Sequence, residues 1–271
     1  MNPPGPPLPF TEEELAEHMK KDAAAKQARR PWLDRFETGT KTTGSVTIPW
    51  RLYRPRAAAD PLPLVVILHG IGGCGEDNEM QILDNDGIID WVRAQDSGLL
   101  APCYLLAPQC PSDIPNNRWE YEYLEVVNEI VTDCLQSLPI DAARVYLTGL
   151  SLGGFGSWNL NRLHPDRFAA VVTCCPACVQ GDVMHSTIYE QGIEDCFPAL
   201  CGKPLWMFHS EDDAAVPVEI TLKMAEKLTA AGESFHLTIY PAEKGYNHGC
   251  WEPAYKTPEL FSWLLEQHLD G

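Results

Sequence analysis

Seven short apolar runs are spaced along the chain with stretches of helical character between them. That alternation restricts the fold more than any other feature. The runs are SVTIPWRLYRP (45–55), PLVVILHG (63–70), CYLLAPQ (103–109), RVYLTG (144–149), FAAVVTC (168–174), PLWMFHS (204–210) and FHLTIYP (235–241). The first alternates like a half-buried strand, while the second is continuously apolar, as a strand buried on both faces is. The helix-like stretches are IIDWVRAQ (88–95), EYLEVVNEIVTDCLQSL (122–138), GGFGSWNLNRLH (153–164), PVEITLKMAEKLTAAG (217–232) and ELFSWLLEQHL (259–269). Strands alternating with helices predict an α/β fold, a mostly parallel sheet covered on both faces.

The remainder is organised simply. Residues 1–10 are proline-rich, and Thr11 with Glu14 forms a capping-box pattern that opens a helix running to about residue 30. We therefore divide the chain into an N-terminal segment, 1–32, and a single catalytic-size domain, 33–271. The stretch 176–203 fits neither period and reads as a short lid or irregular insertion. No internal repeat is visible.

Charge and composition narrow the partners. The net charge is −18, with 38 acidic residues against 20 Lys and Arg. Binding to a nucleic-acid backbone or an anionic membrane rests on clustered cations, so neither is expected. No apolar stretch is long enough to span a bilayer. The start, MNPPGPPLPFTEEE, has neither a basic n-region nor an apolar h-region, which favours the cytoplasm, although a secreted protein after signal removal would read the same. The oligomeric state is left open by the sequence. Ten cysteines allow three readings of Cys175, Cys178, Cys196 and Cys201: a zinc site, a disulfide pinning the insertion, or free thiols.

The chemistry concentrates where RVYLTG runs into a helix. Gly149, Leu150, Ser151, Leu152 and Gly153 spell G-x-S-x-G. A sharp strand-to-helix turn would expose the Ser151 hydroxyl above the sheet, with glycines removing side chains that would collide. A serine hydroxyl needs a base, and the base needs an orienting acid. Glu211, Asp212 and Asp213 follow the strand PLWMFHS, and His248 follows the last strand, in the order Ser, acid, His. Both lie at strand C-terminal ends, where open α/β sheets hold ligands. The glycine-rich turn His69–Gly73 can aim the Ile71 N–H at a developing oxyanion, with the Leu152 N–H as second donor. Trp119 is either a substrate wall or a core residue.

These motifs, with LHGIGGCGEDN (68–78), LLAPQCP (105–111), HPDRFAAVV (164–172), WMFHSEDDAAVP (206–217) and HGCWEPAY (248–255), resemble the α/β-hydrolase superfamily. The similarity is to its compact esterases, related to polyhydroxybutyrate depolymerases, feruloyl and acetylxylan esterases and "predicted peptidases", over roughly residues 45–270. The resemblance implies an α/β-hydrolase fold with a short lid or none, and a Ser151–His248–Asp213 triad. Alignment on Phe208, His209, Val216 and Pro217 puts the acid at Asp213 rather than Asp212; Ser210 stands where the family has glycine. It also implies that Trp251 packs on the histidine loop and borders the substrate. The expected activity is ester hydrolysis through an acyl-enzyme on small soluble esters, feruloyl or acetyl esters of plant cell-wall saccharides among them, with no cofactor and no metal. A peptidase or thioesterase with the same machinery and a non-catalytic ligand receptor are the alternatives. Nothing resembling a propeller domain is present in the sequence.

Overall fold

The structure, a computed structural model, describes residues 12–56, 61–111, 119, 121–180 and 187–269. Thr11 and the proline-rich start lie outside the described residues. In chain order the elements are α1 (Glu12–Arg29), β1 (Phe36–Thr43), β2 (Val46–Tyr53), β3 (Leu62–Leu68), α2 (Met80–Leu83), α3 (Asp86–Asp96) and β4 (Tyr104–Pro108). There follow α4 (Tyr121–Ser137), β5 (Ile140–Leu150), α5 (Leu152–Leu163), β6 (Ala170–Cys174), β7 (Val179–Gln180), β8 (Thr187–Ile188), α6 (Glu190–Leu200) and β9 (Leu205–Ser210). The last are α7 (Glu219–Ala230), β10 (His236–Tyr240), α8 (Trp251–Tyr255) and α9 (Pro258–Glu266).

Eight strands form one sheet in the order β1-β2-β4-β3-β5-β6-β9-β10. The pairs from β4 to β10 are all parallel, and β1-β2 and β2-β4 are antiparallel. Strand alternation splits the core in two. Leu64, Val66 and Leu68 of β3 face the layer of α4, α5, α6 and α7, where Val127, Ile130, Trp158, Ile193 and Met224 are buried. Val65 and Ile67 face the other layer, with Ile88, Trp91 and Val92 of α3, Tyr255 of α8 and Phe261 of α9. Each such side chain contributes about 1.5–3 kcal/mol when fully buried, so the apolar runs alone fix which segments lie inside. The fold is the α/β-hydrolase arrangement.

Two elements depart from the sequence reading. The strand β1, FETGTKTT, is mostly exposed along its length, because it is an edge strand paired only to β2. Its polar composition hides it from a search for apolar runs. The stretch 176–203 is not irregular throughout: its described part holds the small β7–β8 hairpin and the 11-residue helix α6. Gly192 and Pro198 inside that helix mask its period, yet Ile193, Cys196 and Leu200 are buried against the α5 layer.

Candidate active site

Ser151 is the only residue between β5 and α5, so it carries the whole reversal, at φ 52° and ψ −116°. A non-glycine residue there costs on the order of 1–3 kcal/mol and persists only when its surroundings over-determine it. They do so here. The Ser151 N–H donates to Cys174 O at 2.9 Å, and the Ser151 carbonyl accepts from Gly154, Phe155 and Ala177 at 3.0, 3.2 and 2.9 Å. A Cβ on Gly149 would run into the Gly153 carbonyl, and one on Gly153 into the Leu68 carbonyl. The backbones approach so closely that only glycine fits at either position.

The serine meets its partners from two other strand ends. Ser151 Oγ lies 2.9 Å from His248 Nε2, and His248 Nδ1 lies 2.8 Å from Asp213 Oδ2. A carboxylate only accepts, so His248 carries its hydrogen on Nδ1, leaving Nε2 to accept from the serine hydroxyl. The Asp213 side chain is fully buried, and its other oxygen accepts from the Ala215 and Val216 N–H groups at 2.9 and 2.8 Å. Burial alone would raise its pKa. Hydrogen bonds from His209 and His248 and from the Val216 N–H outweigh burial and hold the carboxyl well below the usual carboxylate range. Asp212 faces elsewhere: it accepts from Ser210 Oγ at 2.5 Å and from the Asn247 N–H at 3.1 Å.

Three residues around these groups have roles that the sequence reading did not assign. His209 Nε2 lies 3.0 Å from Val216 O and 3.3 Å from Asp213 Oδ2, while its Nδ1 lies 2.7 Å from Thr221 Oγ1. A carbonyl cannot donate, so Nε2 bears the hydrogen, shared with Asp213, and the Thr221 hydroxyl donates to Nδ1. Asn247, at φ 46°, stitches the acid and base loops, its Oδ1 accepting from the Ala214 and His248 N–H groups at 3.0 and 2.8 Å. His69 holds the glycine-rich turn. Its Nδ1–H donates to Gly70 O at 2.6 Å and its Nε2 accepts from Cys110 N–H at 2.9 Å. Burial pushes its pKa down to about 4, which keeps the ring neutral beside the turn. The signal for His209 was its position beside Phe208 at the end of an apolar run. Neither Asn247 nor His69 carries a signal beyond its loop.

The turn closes through Gly73 N–H to Gly70 O at 3.0 Å and Cys74 N–H to Ile71 O at 3.2 Å, which leaves the Ile71 N–H outside those bonds. Leu152 opens α5, where first-turn N–H groups have no carbonyl one turn back in the helix. Gly70, Ile71, Gly72, Ser151, His248 and Trp251 all line one cleft of about 700 Å³. Trp251 stands edge-on to His248, centroids 5.4 Å apart. Trp119 is not brought there. It is buried, its ring tilted at 53° against His69 with centroids 5.1 Å apart; it donates to His69 O at 3.3 Å and packs against Gly156. One wall of the cleft comes from Asp22, Lys26 and Arg29 of α1.

None of the ten cysteines is half of a disulfide. The thiols of Cys178, Cys196 and Cys201 donate to three different partners, Tyr189 O, Asn159 Oδ1 and Phe197 O. Among the described residues, the group of His, Cys, Asp or Glu side chains close enough to share an ion is Cys175, Asp213 and His248, so the four cysteines weighed for zinc are not assembled. No helix among the described residues is long and apolar enough to cross a membrane.

Comparison with known proteins fits this geometry. Residues 118–267 match the prolyl oligopeptidase family. A thermostable esterase of known structure is 34% identical with a TM-score of 0.73, over 87% of this chain and 64% of that one. The chain thus spans a little under two thirds of that esterase's length. A ferulic acid esterase superposes at TM-score 0.63 with 16% identity, over 84% of this chain and 98% of its own. A ferulic acid esterase from Anaeromyces mucronatus does so at 0.60 with 14% identity, over 86% and 90%. At such identities these two carry the fold alone. No curated protein sequence matches.

Proposed function

The chain belongs to the prolyl oligopeptidase family, and from that footing we propose that it is a carboxylic-ester hydrolase working through an acyl-enzyme on Ser151. The observation that carries the reading is the unbroken line of hydrogen bonds from Ser151 Oγ through His248 to buried Asp213. Ser151 Oγ attacks the acyl carbon as its proton passes to His248 Nε2. Asp213 fixes the Nδ1–H tautomer and stabilises the imidazolium that forms. The Ile71 and Leu152 N–H groups receive the oxyanion. The imidazolium returns the proton to the leaving alcohol, and water, deprotonated by the same base, releases the acid.

A serine-directed fluorophosphonate tests the reading. Ser151 should be the labelled residue, identified by peptide mass. A protein that turns over no ester and takes up no label would be a ligand receptor instead.

The substrate class is argued from the cleft. Its breadth suits a small soluble ester, and Trp251 offers a face for a ring or a sugar. The sequence resemblance points to hydroxycinnamoyl or acetyl esters of plant cell-wall saccharides. Family membership itself supports a second reading, cleavage of a peptide amide by the same triad. A matched series decides. Methyl ferulate and short p-nitrophenyl esters are expected to exceed p-nitrophenyl palmitate and peptide anilides by at least about tenfold in kcat/KM, a difference of about 1.4 kcal/mol in transition-state stabilisation. A preference for palmitate or for the anilide would overturn the substrate assignment and leave the triad standing.

A further inference from the structure

The helix α1 lies outside both the resemblance and the family match, yet it borders the cleft that holds Ser151. Its contacts converge on one segment, 79–86. Lys26 Nζ bridges Asp22 at 2.9 Å and Asp84 at 2.8 Å. Arg29 donates to Leu83 O at 2.6 Å and pairs with Asp86, and Arg30, just past the end of the helix, pairs with Glu79 at 2.7 Å. Asp84 is the residue of consequence. Its carboxylate occupies the space that a Cβ on Gly72 would take, so it lies directly against the turn that presents the Ile71 N–H. Only 22% of that side chain is exposed, and the Lys26 side chain is 19% exposed, so water screens neither charge fully.

A carboxylate beside an oxyanion site is a problem that the chain must solve. Negative charge develops on the substrate oxygen only as the tetrahedral intermediate forms. An uncompensated Asp84 would repel it there, while leaving a neutral ester in the ground state almost unaffected. We propose that Lys26 of the N-terminal helix is a positioning residue for ester hydrolysis, cancelling the Asp84 charge at the Gly70–Gly73 turn so that the Ile71 N–H can receive the oxyanion. This rests on the serine-hydrolase reading above. It gives α1 a task in the reaction that neither packing nor the resemblance assigns. The effect belongs in kcat and not KM, because the repulsion is felt only in the transition state.

The test uses the full chain, p-nitrophenyl acetate and five proteins: wild type, Lys26→Met, Lys26→Arg, Asp84→Asn and the double variant of Lys26→Met with Asp84→Asn. Lys26→Met is expected to lower kcat about tenfold with KM changed less than about twofold, a smaller effect than the 10²–10³ lost with an oxyanion donor itself. Adding Asp84→Asn to it is expected to return kcat to within about threefold of wild type. Lys26→Arg, which keeps the charge, should stay within the same range. A Lys26→Met enzyme with wild-type kcat, or a loss that Asp84→Asn does not relieve, overturns the proposal. Should Lys26→Met alone fail to fold, Asp84→Asn is compared with the double variant. With Asp84 neutral, the turn faces no carboxylate for Lys26 to cancel, and the Lys26 charge is still held by Asp22 at 2.9 Å, so the two should share one kcat within about threefold, and a tenfold gap between them overturns the proposal. These outcomes are ratios among active enzymes. Failure of the serine-hydrolase reading would instead appear as wild-type protein without turnover or label.

Discussion

Ser151→Ala is expected to lower kcat for p-nitrophenyl acetate by about 10⁶-fold, the scale seen when a triad serine is removed from a serine hydrolase, while the thermal midpoint shifts by no more than a few degrees. The size of the first effect follows from what is lost. Without Oγ there is no acyl-enzyme, and the residual rate comes from the oxyanion donors and binding alone, about 10³–10⁴ over water. The smallness of the second follows from the contacts of Ser151. Its backbone, not its hydroxyl, is built into the fold, through Cys174, Gly154, Phe155 and Ala177, and alanine keeps all four bonds. Alanine also meets the same strain at φ 52°. Turnover measured beside a melting curve separates the two quantities. A variant that keeps more than about 1% of wild-type kcat would move the nucleophile away from Ser151, because a triad serine carries far more of the rate than that.

The elbow was legible because its constraint is local. A strand, a serine at positive φ and glycines at close approach all fall within Gly149–Gly153, so the sequence alone supplies the geometry. The sheet was legible for a similar reason. Strands such as β3 and β5 are buried on both faces and are largely apolar along their inner stretch, whereas β1 is an edge and escapes that demand. Chain order supplied the acid and base loops, but not the residues that hold them. His209 reads as part of an apolar run, and its role appears only when Thr221, Val216 and Asp213 close around the ring. Trp119 shows the converse. An aromatic near a candidate cleft is as useful to the core as to a substrate, and the contact with His69 and Gly156 decides for the core. The placement of α1 was illegible because its apolar residues are few and its docking is ionic. Lys26, Arg29 and Arg30 find their partners in a segment about fifty residues downstream.

Asp213→Asn is expected to cost about 10⁴-fold in kcat, and Asp212→Asn no more than about tenfold. An asparagine at 213 can keep the shape of the carboxyl while turning its NH₂ toward His248 Nδ1. That nitrogen must then accept, so the hydrogen moves to Nε2 and the ring can no longer take the proton of Ser151. Asp212 makes no contact with His248. It receives Ser210 Oγ and the Asn247 N–H, and so supports the base loop at one remove. With Ser210 at this turn, it is Asp213 and not Asp212 that reaches His248 Nδ1, and the Ser210 hydroxyl anchors Asp212. Stability should separate the two variants as well. The carboxyl of Asp213 sits well below its unfolded value of about 3.9, so its contribution is complete above that pH and is lost as pH falls toward the folded value. Asp213→Asn lacks this term, and its stability should fall less steeply than wild type between about pH 5 and pH 2. Equal losses of kcat in the two variants, or a larger loss at Asp212, would assign the orienting carboxylate to Asp212 and require the acid loop to rearrange when substrate binds.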